Sequence, residues 1–227
     1  LVIGVVGHRD PIPINIPRLR DSFKCDLRKL LNEIPHTPLL MITGLSSGMD
    51  IEAAEAFLEI VSEEQKTNSR CLPHQLIAAM PKNKENYRND FLLKQERERF
   101  EYLLSQCSHY YDPSNSNLLR GDAPKGTELS SPDCYGQQSL FLTKYCYMIF
   151  AFYDGQETSK IGGTSHTVAT QKDELHSNFL TMDEIISTQE PSALIEYNTP
   201  RKKNSFNNKE QRNDSKFWLG DQKKDQL

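Results

Sequence analysis

The stretch "YMIFAFYDG" (147–155), followed a few residues later by "GGTSHTV" (162–168), decides the fold. The first is an unbroken apolar run closed by Asp-Gly, which reads as a strand buried on both faces. The second sets two glycines and a threonine ahead of a helical pattern. Successive glycines let backbone N–H groups converge into an anion-binding nest, and Thr164 adds a hydroxyl at the helix start. A strand-to-helix turn that holds a phosphate is therefore expected at Gly162, Gly163 and Thr164.

The same alternation runs through the rest of the chain. "LVIGVVG" (1–7), "PLLMITG" (38–44) and "QLIAAMP" (75–81) are short apolar strands, and "SHYYD" (108–112) and "SALIEYNTP" (192–200) are weaker ones. Between them Leu19, Phe23, Leu27, Leu30, Leu31 and Ile34 recur at helical spacing, as do Ile51, Ala54, Phe57, Leu58 and Val61. Residues 87–106 are predicted as one long charged helix with Phe91, Phe100, Leu103 and Leu104 inward, and 135–146 as another. Strands that alternate with helices imply a doubly wound α/β fold, a mainly parallel sheet with helices on both faces. One domain is expected over 1–199, with 113–131 a long loop and 200–227 a polar, partly basic loop or linker.

Composition narrows the partners. The 227 residues are 37% apolar, enough for one sizeable core bearing polar loops. The net charge of −4 is uneven, because the tail from Pro200 holds eight Lys/Arg against four Asp/Glu and leaves the body at −8. A body this acidic argues against nucleic acid as a partner. The longest apolar run, Tyr145 to Tyr153, is nine residues and too short to cross a bilayer, so no membrane contact is expected. Five scattered cysteines read as reduced thiols of a cytoplasmic protein, and no His/Cys cluster predicts a metal or a cofactor. The chain opens at Leu1 within a strand, which suggests a piece of a longer protein.

In doubly wound sheets ligands collect at the carboxyl ends of the strands. The first strand-end loop carries Gly7, His8 and Arg9; a glycine lets backbone approach a ligand closely, and Arg9 offers a planar fork to an anion. The second, "TGLSSGMD" (43–50), carries Gly44, Ser46, Ser47 and Gly48. Ser46 or Ser47 would cap the next helix, with Ser47 and Asp50 at cap spacing, and that helix start would present free N–H groups. Here a plain cap and a ligand loop read equally well. Asp154 could meet a ribose hydroxyl or form an ordinary turn with Gly155. Tyr87 and Asp90 could stack on a base and bond a sugar, or simply start a helix. His166 reads as a surface or supporting residue.

Taken in order, "IGVVGHRDP" (3–11), "MITGLSSGMDIEAAEAF" (41–57), "IAAMPKNKENYRNDF" (77–91) and "FAFYDGQETSKIGGTSHTV" (150–168) resemble the SLOG superfamily. Its members are Rossmann-like domains shared by DNA-processing protein A, the Lonely Guy phosphoribohydrolases and the N-termini of TRPM-type channels. The likeness covers about residues 1–170, and "EYNTPR" (196–201) looks like the family's last strand. The resemblance is greatest to prokaryotic members fused to effector modules. It implies a nucleotide-derived ligand of the ADP-ribose kind, held by Gly7, Gly44, Gly48 and the Gly162–Thr164 turn. The enzymatic branch carries G-G-x-G-T-x-x-E, whose glutamate serves cleavage of the N-glycosidic bond. Here Thr164 follows the glycine pair directly, Ala169 stands where the acid is required, and Asp173 and Glu174 lie a turn further on. The leading expectation is thus a sensor with no catalytic set, which passes occupancy to an effector region of the same chain, through loop ordering or a homodimer interface. The alternative is a nucleotide N-glycosidic-bond hydrolase in which Asp50, Asp90 or Asp154 replaces the glutamate.

Overall fold

The computed structural model describes residues 1–67, 72–111, 130–172, 193–202 and 216–218. Six parallel strands form the sheet: β1 (Val2–Gly7), β2 (Leu40–Thr43), β3 (Gln75–Ala79), β4 (His109–Tyr111), β5 (Met148–Tyr153) and β6 (Ala193–Asn198). A seventh, β7 (Lys216–Trp218), lies antiparallel on β6, so the polar tail contributes a strand where only a loop was expected. The spatial order is β4-β3-β2-β1-β5-β6-β7. Successive strands build outward from β1 one way as far as β4, then the chain returns to lay β5 on β1's other side. The expected doubly wound α/β architecture is present, and its switch point lies between β1 and β5.

Period-two alternation sorts side chains to the two faces. Ile3, Val5, Met41, Phe150, Phe152 and Tyr197 pack with α1 (Ile16–Glu33), α2 (Met49–Thr67) and α4 (Lys94–Gln106). Val6, Ile42, Ile149, Ala151, Tyr153 and Leu194 pack with α5 (Ser131–Tyr145) and α6 (Thr164–Gln171). Phe23 of α1 is fully buried and meets Phe150 edge-on, with ring centroids 5.2 Å apart. Phe152 and Tyr197 flank it at 5.8 and 6.4 Å.

The single helix expected over 87–106 is instead two, α3 (Lys84–Arg88) and α4, joined by a turn. Nine residues of continuous helix would hold Phe91 and Phe100 roughly 13 Å apart along the axis. Their rings stack at 4.7 Å, and Tyr87 meets Phe100 at 5.5 Å. Burying all three aromatics at one point requires the chain to fold back, and Leu92 and Leu93 are left exposed at the bend. The loop expected over 113–131 lies outside the described residues up to 129; Ser130 caps α5 through Asp133 N–H. No helix among the described residues is long and apolar enough to cross a membrane.

Removing the Phe23 ring leaves a cavity against three aromatic neighbours. Phe23→Ala is expected to cost about 3–5 kcal/mol in urea unfolding; a loss below about 1 kcal/mol would contradict this packing.

Candidate functional site

Around the switch point, the loops after β1, β2 and β5 interlock. Met49 N–H at the start of α2 donates to His8 O at 3.1 Å, and His8 N–H donates to Phe152 O at 3.1 Å. Gly48 has φ +86°, and a Cβ there would lie 2.4 Å from His8 O, so only glycine lets the second loop close on the first. Asp154 brackets one nitrogen of the His8 ring: Nε2 lies 3.0 Å from its Oδ1 and 3.1 Å from its backbone N. Burial pushes the Asp154 carboxyl up, but the His8 contacts and the Arg201 charge outweigh it and hold its pKa below the ordinary carboxylate value.

These loops frame a cavity of about 210 Å³. Gly7, His8, Arg9, Gly44, Ser46, Gly163 and Thr164, all singled out from sequence, line it. Further lining comes from Asp50, Thr167, Arg201 and the α5 residues Tyr135, Gln138, Ser139 and Leu142. Ser47, Gly48, Tyr87, Asp90, Asp154 and Gly162 are not on its wall. Tyr87 is 0% exposed and cannot stack on a base; its hydroxyl donates to Gly44 O at 3.0 Å and holds the second loop from behind. Asp90 binds Lys82 Nζ at 2.8 Å and accepts from the Tyr135 hydroxyl. His166, expected near the surface, is buried, and burial lowers its pKa. Asp173 and Glu174 lie outside the described residues.

The two helix starts near the cavity differ. At α2, Met49 and Ile51 N–H donate to His8 O and Ser46 O, so the free amides expected there are largely engaged by the protein. At α6 no side chain caps the helix. Gly163, with φ +81°, is its N-cap, and neither its N–H nor that of Thr164 meets an acceptor among the described residues. The carbonyl of Gly163 accepts from Thr167 N–H at 3.0 Å, which fixes the turn. A helix start of this kind carries about half a positive charge.

Two cations share the cavity wall. Arg9 donates to the Tyr135 hydroxyl at 2.7 Å and lies over that ring, 5.2 Å from its centroid. Tyr135 is steadied in turn by Asp90 and by Lys82, 5.4 Å from the same centroid. Arg201 follows β6; Ile12 N–H donates to Pro200 O and Lys202 N–H to Asp10 O, both at 2.9 Å, and this stitching places Arg201 beside the first loop. Its Nε binds Asp10 at 2.6 Å, and its terminal nitrogens have no partner among the described residues. The resemblance of "EYNTPR" pointed to this segment but not to the arginine. Tyr135 and Arg201 escaped sequence reading because one lies mid-helix and the other in a polar stretch read as linker.

Asp50 is the acid on the wall. It is 6% exposed, and its Oδ2 accepts from Ser46 N–H at 3.3 Å and Ser46 Oγ at 2.9 Å. Ser46 therefore partners Asp50, where Ser47 had the expected spacing. Its Oδ1 is buried and has no hydrogen-bond partner among the described residues. Burial raises its pKa to about 6, against the opposing effects of Ser46, Arg9 and the Gly7 amide. Leu45, just before Ser46, is fully buried with φ +52°. A non-glycine residue there stores strain of order 1–3 kcal/mol, and such strain concentrates at functional loops. No group of His, Cys, Asp and Glu among the described residues is arranged to hold a metal ion.

No family model matches the chain, and no curated protein matches it significantly. The functional reading therefore rests on the cavity itself.

Because the folded state holds the Asp50 proton more tightly than the unfolded chain, ionising it opposes folding as pH rises from about 4 to 7. Asp50→Asn, which cannot ionise, is expected to gain on wild type by on the order of 2 kcal/mol between pH 4 and pH 7.5 in parallel urea titrations. A difference independent of pH would show that Asp50 is not desolvated.

Proposed function

We propose that this cavity binds a phosphorylated nucleotide or nucleotide-derived molecule of the ADP-ribose class, and that the chain acts as its sensor. One observation carries the reading: an uncapped helix start, Arg9 and Arg201 line a single cavity at the switch point of a doubly wound sheet. Backbone N–H groups and arginine forks are complementary to a phosphate, and strand-end crevices are where such sheets take nucleotides. The sequence resemblance to SLOG domains supports the same ligand class. Occupancy would be relayed to an effector region of the full-length chain, or across a homodimer, by seating of the exposed turn ahead of α6. That turn is held only lightly, through Ser165 Oγ to Gln156 O at 3.3 Å and Thr158 N–H to Ser165 Oγ at 3.2 Å.

Asp50 favours a second reading, hydrolysis of the ligand's N-glycosidic bond. Of Asp50, Asp90 and Asp154, it alone lines the cavity, and a carboxyl with pKa near 6 suits acid–base work close to neutrality. Tyr135 and Arg9 would then hold the ligand rather than take part in bond cleavage.

Calorimetric titration with ADP-ribose, cyclic ADP-ribose, NAD, AMP and cyclic dinucleotides is expected to give saturable binding of at least one. Arg9→Ala should weaken it about tenfold or more, the usual loss for one charge-assisted contact. Mass spectrometry of the recovered ligand separates the two readings, since a sensor returns it intact and a hydrolase releases the base. Folded protein that binds none of them contradicts both.

A further inference from the structure

We infer that the ligand reaches Asp50 through a sugar hydroxyl, so that the cavity selects a phosphorylated ribose over its deoxy counterparts, with the base lying outside the enclosed space. This inference rests on the cavity being the nucleotide site. Its own support is the second carboxylate oxygen of Asp50. Oδ2 is saturated by the amide and hydroxyl of Ser46, which also lock the side chain's rotamer. Oδ1 belongs to a side chain on the cavity wall, is itself buried, and receives no hydrogen bond from the protein. A buried acceptor without a donor is costly, and nothing in the packing around Asp50 requires an acid there. The ligand group that complements it is a donor.

The rest of the wall restricts which donor. Arg9, Arg201 and the open α6 amides disfavour an ammonium and favour an anion, so the donor and the anion belong to one molecule. A volume of about 210 Å³ is below the 300–1,000 Å³ typical of sites that enclose a drug-sized ligand. It suits a phosphate joined to one pentose, which supplies neutral O–H donors next to the anion. A site built to bond a hydroxyl rejects the analogue without it far more strongly than an apolar pocket rejects a missing methylene, because the polar group is left unpaired.

The test is calorimetry with AMP, 2′-deoxy-AMP, 3′-deoxy-AMP and inorganic phosphate on wild type, Asp50→Asn and Asp50→Ala, each checked for a cooperative thermal transition. In wild type, one deoxy analogue is expected to bind at least tenfold more weakly than AMP. In Asp50→Asn the amide oxygen faces Ser46 and leaves only N–H toward the sugar, so the gap should shrink below threefold, and likewise in Asp50→Ala. AMP binding with neither deoxy analogue weakened overturns the inference and leaves the anion site standing. A gap that persists in both folded variants overturns it too, since the hydroxyl then has another acceptor. If neither AMP nor phosphate binds, the proposed function fails and takes this inference with it.

Discussion

The backbone of His8 is the constraint on which the site depends. Its N–H donates to Phe152 O and its carbonyl accepts from Met49 N–H, each at 3.1 Å, while its ring is bracketed by Asp154. One residue thus joins the ends of β1, β2 and β5, the strands on either side of the switch point. Gly48 makes this closure possible, because any Cβ there would collide with the His8 carbonyl. Once the loops are pinned, Gly44, Ser46 and Asp50 are carried to the same cavity as the α6 start, and Arg201 joins them through its pairing with Asp10.

The pinned loops hold an arrangement that costs stability. Asp50 is desolvated with one oxygen unmatched, Leu45 sits in the left-handed region, and the α6 amides lack a cap. None of these is stabilising in the isolated chain. All three border one cavity, and a ligand carrying an anion and hydroxyls would relieve two of them. That concentration of unmet hydrogen-bonding potential distinguishes the cavity from an ordinary surface cleft. Elsewhere polar groups pair thoroughly: Arg20 and Arg99 are neutralised by Glu52 and Glu55 between α1, α2 and α4.

Much of the architecture was legible because short apolar strands and helical stripes alternate with few breaks. The runs at 1–7, 38–44, 75–81 and 147–155 all fall on strands of the parallel sheet. Seven of the residues chosen from strand-end loops line the cavity for the same reason, since strand ends converge whatever the sequence between them. The failures have local causes. Tyr87 looked available for stacking because a tyrosine at a helix start reads as polar, whereas mutual packing with Phe91 and Phe100 draws it fully inside and breaks the helix. Asp50 looked like a cap, because spacing alone does not reveal that its partner is Ser46 or that burial leaves one oxygen unmatched. Tyr135 and Arg201 depend on contacts 126 and 191 residues away in sequence, which no local pattern encodes.

The central claim is that amides and cations from separate crossover loops face one anion. Amide chemical-shift mapping with AMP tests it most directly. The account predicts that Gly163 and Thr164 shift together with residues of the 7–9 and 44–46 loops and saturate at one common affinity. Shifts confined to a single loop, or scattered over the outer helix faces with the Gly163 amide unmoved, would contradict it.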